Sequence, residues 1–205
     1  MTAPPLIWQC RDRTLTLGAQ PLIMGVLNVT PDSFSDGGRY VDPEQAVARG
    51  CVLAEEGAAL LDIGGESSRP GAASVPVEEE LRRVVPVVRA LAGRTRALLS
   101  VDTTKAAVAR AALEAGAHII NDITALTGDP AMEEVARSSG AGVVLMHMQG
   151  KPRTMQADPR YDDVVAEVTR YLGERVAWLT EAGLRRDSLV VDPGIGFGKS
   201  VEHNT

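Results

Sequence analysis

Six short runs rich in valine, isoleucine and leucine recur along the chain, at 22–29, 60–63, 97–101, 119–123, 143–146 and 189–191. Runs that are apolar at nearly every position, rather than at alternate ones, suit strands buried on both faces, as in a parallel sheet covered by helices. Between them lie segments with helical periodicity at 43–56, 77–91, 104–115, 130–139 and 161–182, several closed by a glycine such as Gly57, Gly116, Gly140 or Gly183. The order is strand then helix, six times over, the last unit incomplete. Strand starts are about 33 residues apart, close to a (β/α)8 barrel of roughly 250 residues divided by eight. A doubly wound open sheet would place a glycine-rich phosphate turn after its first strand, whereas here that turn reads Asn28-Val29-Thr30-Pro31-Asp32-Ser33-Phe34-Ser35-Asp36-Gly37-Gly38. The pattern predicts an α/β fold, a (β/α)8 TIM barrel with about its first six units, as a single domain over residues 1–205.

Composition narrows the partners. With 44% hydrophobic and 23% charged residues the chain can bury one sizeable core. Acidic residues outnumber basic ones 27 to 21 and no Lys/Arg run occurs, which argues against nucleic acid or an anionic membrane as partner. No apolar stretch approaches the ~20 residues of a membrane span, and residues 1–9 lack the basic start and apolar core of a signal peptide. The reading is a soluble, cytoplasmic protein. Cys10, in a leader segment, and Cys51, in a helix, indicate neither a disulfide framework nor a thiolate metal site and are taken as bystanders.

The chemistry lies in the polar residues at the carboxyl ends of the apolar runs: Asn28, Asp62, Asp102, the pair Asn121 and Asp122, His147 and Asp192. In a parallel barrel those ends converge on one rim, where barrel enzymes place their sites. Singly, each has a plainer reading. Asp102 or Thr103 would serve as the cap of the helix that follows, and His147 as a hydrogen-bonded core or rim histidine. Together they resist that explanation, because carboxylates and an amide inside Val/Ile-rich strands are costly to bury without partners, and a polar ligand bridging them supplies those partners. Two aspartates and an asparagine suit a flat heterocycle with adjacent N–H donors and a ring carbonyl, such as a pterin's aminopyrimidinone edge. These residues alone do not separate a pterin from a purine.

Other motifs fail on spacing. Gly194-Ile195-Gly196-Phe197-Gly198-Lys199-Ser200 looks like a phosphate loop, but Pro193 stands where the loop's first glycine belongs. The segment reads instead as a tight turn that brings backbone near a ligand, with Lys199 either lining the site or solvated. His118, His147 and His203 show no zinc-ligand spacing.

With these residues in view, the sequence resembles the dihydropteroate synthase family from about Leu22 to Asn204. The opening signature stands as Met24-Gly25-Val26-Leu27-Asn28-Val29-Thr30-Pro31-Asp32-Ser33-Phe34-Ser35-Asp36-Gly37-Gly38, and the second as Asp62-Ile63-Gly64-Gly65-Glu66-Ser67-Ser68-Arg69-Pro70-Gly71-Ala72. Ser100-Val101-Asp102-Thr103, Ile120-Asn121-Asp122-Ile123, Leu145-Met146-His147-Met148-Gln149-Gly150 and Asp192-Pro193-Gly194-Ile195-Gly196-Phe197-Gly198-Lys199 follow in family order. The resemblance implies a transferase of folate biosynthesis and a sulfonamide target, which joins a dihydropterin diphosphate to p-aminobenzoate with magnesium (Mg2+) and works as a homodimer. It places Asp102, Asn121 and Asp192 on the pterin with Asp62 close by, Met146 and Phe197 against a ring, and Lys199 among the substrate-binding residues. Asn28 would meet the metal and the diphosphate. The loops with Thr30, Pro31, Phe34 and Asp36, and with Ser68 and Arg69, would close over the site, Asp36 and Arg69 serving the reaction itself. A pterin-binding module without synthase activity, such as a methyltetrahydrofolate methyltransferase relative, shares the carboxylates but is not expected to carry both loops. The family pattern runs on to Ser-Arg-Lys and Arg-Val-His segments beyond these residues, so the 205 residues alone are expected to have little synthase activity.

Overall fold

The computed structural model describes residues 5–18, 20–30, 42–69 and 72–205. An antiparallel hairpin, β1 (Leu6–Cys10) and β2 (Arg13–Leu17), comes first. Then β3 (Met24–Asn28), α1 (Pro43–Glu55), β4 (Leu60–Gly64), α2 (Val77–Ala92), β5 (Leu98–Asp102), α3 (Ala106–Ala115), β6 (Ile119–Asp122), α4 (Met132–Ser139), β7 (Gly142–Met146), α5 (Val164–Glu181) and β8 (Leu189–Asp192) alternate without exception. Strands β3 to β8 make one parallel sheet in the order of the chain. A doubly wound sheet reverses direction at a switch point; this one does not, so its winding is that of a barrel. Local signals set the helix ends. The Asp42 side chain accepts the Glu44 amide at 2.9 Å with Pro43 in the first turn of α1, Asp163 accepts the Ala166 amide at 3.0 Å on α5, and Gly116 ends α3 at a φ of 117°.

Neighbouring strands run in register, so the two-residue alternation of each strand sorts side chains onto two faces. Leu27, Leu61, Ile63, Leu99, Val101, Ile120, Val143 and Leu145 face outward, where they are buried against Val47, Val84, Val88, Leu91, Val108 and Leu113 of the helices. The lower inner face carries Met24, Leu60, Leu98, Ile119 and Val144, and these pack against Trp8 and Cys10 of the hairpin.

The hairpin corrects the reading of residues before 22 as a leader. It plugs the base of the sheet: Trp8 Nε1 donates to Ser188 O at 2.9 Å, the Arg11 amide to Gly140 O at 2.8 Å, and the Arg11 guanidinium to Leu113 O and Ala117 O. Burial pushes the Cys10 thiol up to about 12, which leaves it protonated and chemically idle. Its contribution is packing. A Cβ on Gly142 would meet Cys10 Sγ at 2.5 Å and the Trp8 ring at 3.1 Å. Gly142→Ala is therefore expected to cost about 1–3 kcal/mol by overpacking, and adding Cys10→Ala should restore most of the urea midpoint. An unchanged midpoint in the single variant would show that the hairpin yields without strain.

Candidate active site

Above the apolar base, the inner face turns polar. Val26, Asp62 and Ser100 stand side by side in register, and one step higher Asn28, Gly64, Asp102 and Asn121 form the next row. Gly64 leaves room there: a Cβ on it would come within 3.3 Å of Asp102 Oδ2. Met146 and Asp192 are paired across β7 and β8 on the same face. Alternation thus brings Asn28, Asp62, Asp102, Asn121, Met146 and Asp192 together, as expected from their places at the strand ends.

Asp62 is 5% exposed, and its Oδ2 accepts from Asn121 Nδ2 at 2.8 Å. Ser100 Oγ lies close enough to favour the ionised form, yet among the described residues neither it nor Asp62 Oδ1 makes a hydrogen bond of full geometry. Burial raises the Asp62 pKa, while Ser100 and Asn121 pull it back. Asp102 is half-buried. Its carboxyl is held well above the usual carboxylate range, by burial first and then by the negative charge of Asp62, Glu80, Asp122 and Glu66. Neither residue at the β5 end caps α3: the Thr103 hydroxyl accepts the Lys105 amide at 3.2 Å in the turn before the helix, and the first helical amide, that of Ala106, is taken by Asp129 Oδ2 at 2.9 Å.

Asp122 belongs elsewhere, which corrects its place among the rim residues. One step along β6 from Asn121, it faces the helices and is fully buried. Its Oδ1 accepts the Thr124 amide at 2.7 Å and the Thr124 hydroxyl at 2.6 Å, fixing a turn in which Ala125 and Leu126 take φ of 52° and 61°.

Lys199 is not solvated. It is 4% exposed, and its ammonium is taken up by Gly194 O at 2.9 Å, Phe197 O at 3.1 Å and His147 Nδ1 at 3.1 Å. That arrangement makes Nδ1 the acceptor and puts the imidazole proton on Nε2. Burial lowers the pKa of both Lys199 and His147, the Lys199 charge adding to the effect on His147. His147 is the hydrogen-bonded core histidine anticipated, edge-on to Tyr171 at 5.1 Å. The expected tight turn is present: Gly194 and Gly198 have φ of 67° and 62°, and a Cβ on either would collide with the carbonyl oxygen of His147 or Gln149. Asp192 anchors the turn by accepting the Gly194 amide at 2.7 Å, and Phe197 is half-buried within it.

Thr30 is half-buried just beyond β3, and Ser68 and Arg69 follow β4, Arg69 exposed. Pro31, Phe34 and Asp36 lie outside the described residues. A cavity of about 510 Å³ opens between the loop after β4 and the loops after β5, β6 and β7. Among the described residues, its lining takes in Asp102 and Ser68 of those predicted. Also in the lining are Glu66, Glu80, Thr103 and Lys105, none of which the sequence had marked as a site residue. Lys105 Nζ binds both Glu66 and Glu80, and Thr103 Oγ1 donates to Glu80 Oε1 at 2.5 Å. Hydrogen bonds to these two carboxylates outweigh the lowering by burial and leave the Lys105 pKa raised. Glu80 hides in the acidic run Glu78-Glu79-Glu80. The available signal was helical spacing, since Glu80, Val84, Val87 and Leu91 share the apolar stripe of α2.

A sequentially wound parallel sheet whose inner face ends in carboxylates and amides defines an α/β barrel-type protein with a polar ligand site at its strand ends. More particularly, the chain belongs to the pterin binding enzyme family, whose profile matches residues 24–205. It is 53% identical over 186 residues to the dihydropteroate synthase of Escherichia coli (strain K12), covering 91% of this chain and 66% of that protein. Among solved structures it is similar to Xanthomonas albilineans dihydropteroate synthase with 4-aminobenzoic acid (53% identity, TM-score 0.89, 98% of this chain and 71% of that one). It is also similar to Burkholderia cenocepacia dihydropteroate synthase complexed with 7,8-dihydropteroate (45% identity, TM-score 0.84, 96% and 66%). The chain therefore spans somewhat less than two thirds of that E. coli relative. Among the described residues, no helix is long and apolar enough to cross a membrane.

Proposed function

We propose that the protein forms dihydropteroate, joining 6-hydroxymethyl-dihydropterin diphosphate to p-aminobenzoate with release of diphosphate. The observation that carries the proposal is the single inner face shared by Asp62, Asp102, Asn121 and Asp192, in which Asp62 Oδ2 holds Asn121 while, among the described residues, the buried Asp62 Oδ1 makes no hydrogen bond of full geometry. Buried acceptors of that kind call for a ligand rich in N–H donors. The relatives bound to 4-aminobenzoic acid and to 7,8-dihydropteroate support the same pair of substrates.

In this reading Asp102, Asn121 and Asp192 hold the aminopyrimidinone edge, and Asp62 orients Asn121. Met146 and Phe197 bear on the rings. Lys199 serves the substrate through the turn whose carbonyls it holds. Thr30, Pro31, Phe34 and Asp36 of the first loop, with Ser68 and Arg69 of the second, enclose the aminobenzoate. The bond from the pterin methylene carbon to the diphosphate oxygen breaks first; the bonding electrons leave with the diphosphate. The carboxylates stabilise the resulting pterin cation until the arylamine nitrogen attacks that carbon and sheds a proton. Asn28 offers one amide oxygen at the top of the inner face, and among the described residues no group of three or more His, Cys, Asp or Glu is placed to hold a metal. This donor set fits magnesium that arrives on the diphosphate, since such an ion keeps its waters and needs few protein oxygens. When bound, the ion neutralises charge on the leaving group. A homodimer is proposed on the resemblance alone.

Incubating the native protein with both substrates and Mg2+ should give dihydropteroate, with none formed when either substrate is omitted, and light scattering reads the dimer. Absence of product together with absence of pterin binding would overturn the reading.

A further inference from the structure

The loop after β4 is tied across its own mouth. Glu66, near its start, accepts the Val75 amide near its end through Oε2 at 3.2 Å. The same oxygen receives Lys105 Nζ, which also reaches Glu80 on α2. Glu80 is 0% exposed, and its other oxygen takes the Thr103 hydroxyl. From the far side, Arg83 donates to Gly65 O at 2.8 Å. Lys105 and Thr103 follow Asp102 at once in the sequence. One ammonium therefore joins three elements: the end of β5, the start of the loop after β4, and the buried face of α2. The ammonium between them offsets the repulsion of the two carboxylates, and charge-assisted hydrogen bonds of this kind fix direction as well as distance.

We propose that Lys105 is a positioning residue, acting through Glu66 to hold the loop that carries Ser68 and Arg69 in a set relation to Asp102. The inference rests on the proposed function for its consequence, because there Ser68 and Arg69 meet the aminobenzoate and Asp102 the pterin. The node lines the cavity beside Asp102 and Ser68, and in this proposal it acts through the loop. What it governs is the separation between the two halves of the site, and displacements of about 1 Å in such a separation commonly slow a reaction by about 100-fold.

The test compares Glu66→Ala, Lys105→Met and Lys105→Arg in the native protein. Glu66→Ala leaves the Lys105–Glu80 pair intact, so it decides the matter if Lys105→Met does not fold. Hydrogen exchange at the Val75 amide should accelerate at least about tenfold in Glu66→Ala and in Lys105→Met. The KM for p-aminobenzoate should rise about tenfold or more, while calorimetry with dihydropterin diphosphate shows a Kd within about twofold of the parent. Lys105→Arg, able to bridge both carboxylates, should recover most of the KM. Because Lys105 acts through Glu66, the double variant should add little to the larger single effect. Unchanged Val75 exchange in a folded variant overturns the proposal, and so does equal weakening of both substrates, which would mark a merely structural role. If the parent protein neither binds pterin nor makes dihydropteroate, the proposed function fails, and Val75 exchange alone then judges the tie.

Discussion

Lys105→Met is expected to lower the stability of the protein by about 3–5 kcal/mol, the effect of removing one partner from a buried ion pair. Glu80 is the reason. It is fully buried on α2, and without Lys105 its negative charge keeps, among the described residues, the Thr103 hydroxyl at 2.5 Å as its close partner. Glu66 is better placed to relax, because its side chain is 29% exposed. Replacing Glu80 by methionine in the same chain should return most of the loss, since an apolar pair of similar volume often matches a buried ion pair. Urea unfolding of the two single variants and the double variant measures this. A double variant no more stable than Lys105→Met would mean that the uncompensated charge is not what destabilises.

Asp102→Asn should weaken pterin binding by about 1–3 kcal/mol, a factor of roughly 5 to 150, while making the unliganded protein more stable at neutral pH. The two effects have opposite signs for one cause. Burial, then the charges of Asp62, Glu80, Asp122 and Glu66, raise the Asp102 pKa in the folded state. The folded protein thus binds this proton more tightly than the unfolded chain does. Stability must then fall as pH rises from the ordinary carboxylate value through the raised folded one. Asparagine cannot ionise, so the variant loses that part of the decline and its stability curve flattens across the same window. Thermal melts from acid to neutral pH, beside calorimetry with the dihydropterin, test both halves. Parallel melting curves for parent and variant would remove the electrostatic account, and unchanged affinity would remove Asp102 from the pterin.

The parallel core was legible because strands covered on both faces leave an unbroken apolar signature; 119–123 and 189–191 fall within a residue or two of β6 and β8. The hairpin was not. Leu6, Trp8 and Cys10 do alternate with other residues, but the turn between the strands is Arg11-Asp12, without the Asn-Gly or Asp-Gly pair that announces a hairpin, and Arg11 itself takes the positive φ of 58°. Asn121 and Asp122 are adjacent polar residues at one strand end, and composition treats them alike. Only alternation, which needs the start of β6, sends one inward and the other into a helix-side turn. Lys199 follows a run of glycines, the setting of a ligand lysine, so its use as a brace for three carbonyl oxygens, those of Gly194, Phe197 and His147, could not be read without the fold of that turn.

Trp8 donates to the carbonyl of Ser188, 180 positions further along the chain. Every other layer of the fold can be added as it is made, since each strand pairs with the one before it. The plug cannot. At a synthesis rate of about 5–20 residues per second, roughly ten to forty seconds separate the hairpin from its partner. During that interval Leu60, Leu98 and Ile119 have no cover from Trp8 in its final seat, and the growing chain presents a sticky apolar floor to its surroundings. The nascent protein is thus most in need of a chaperone until Ser188 has been made and Trp8 can reach it.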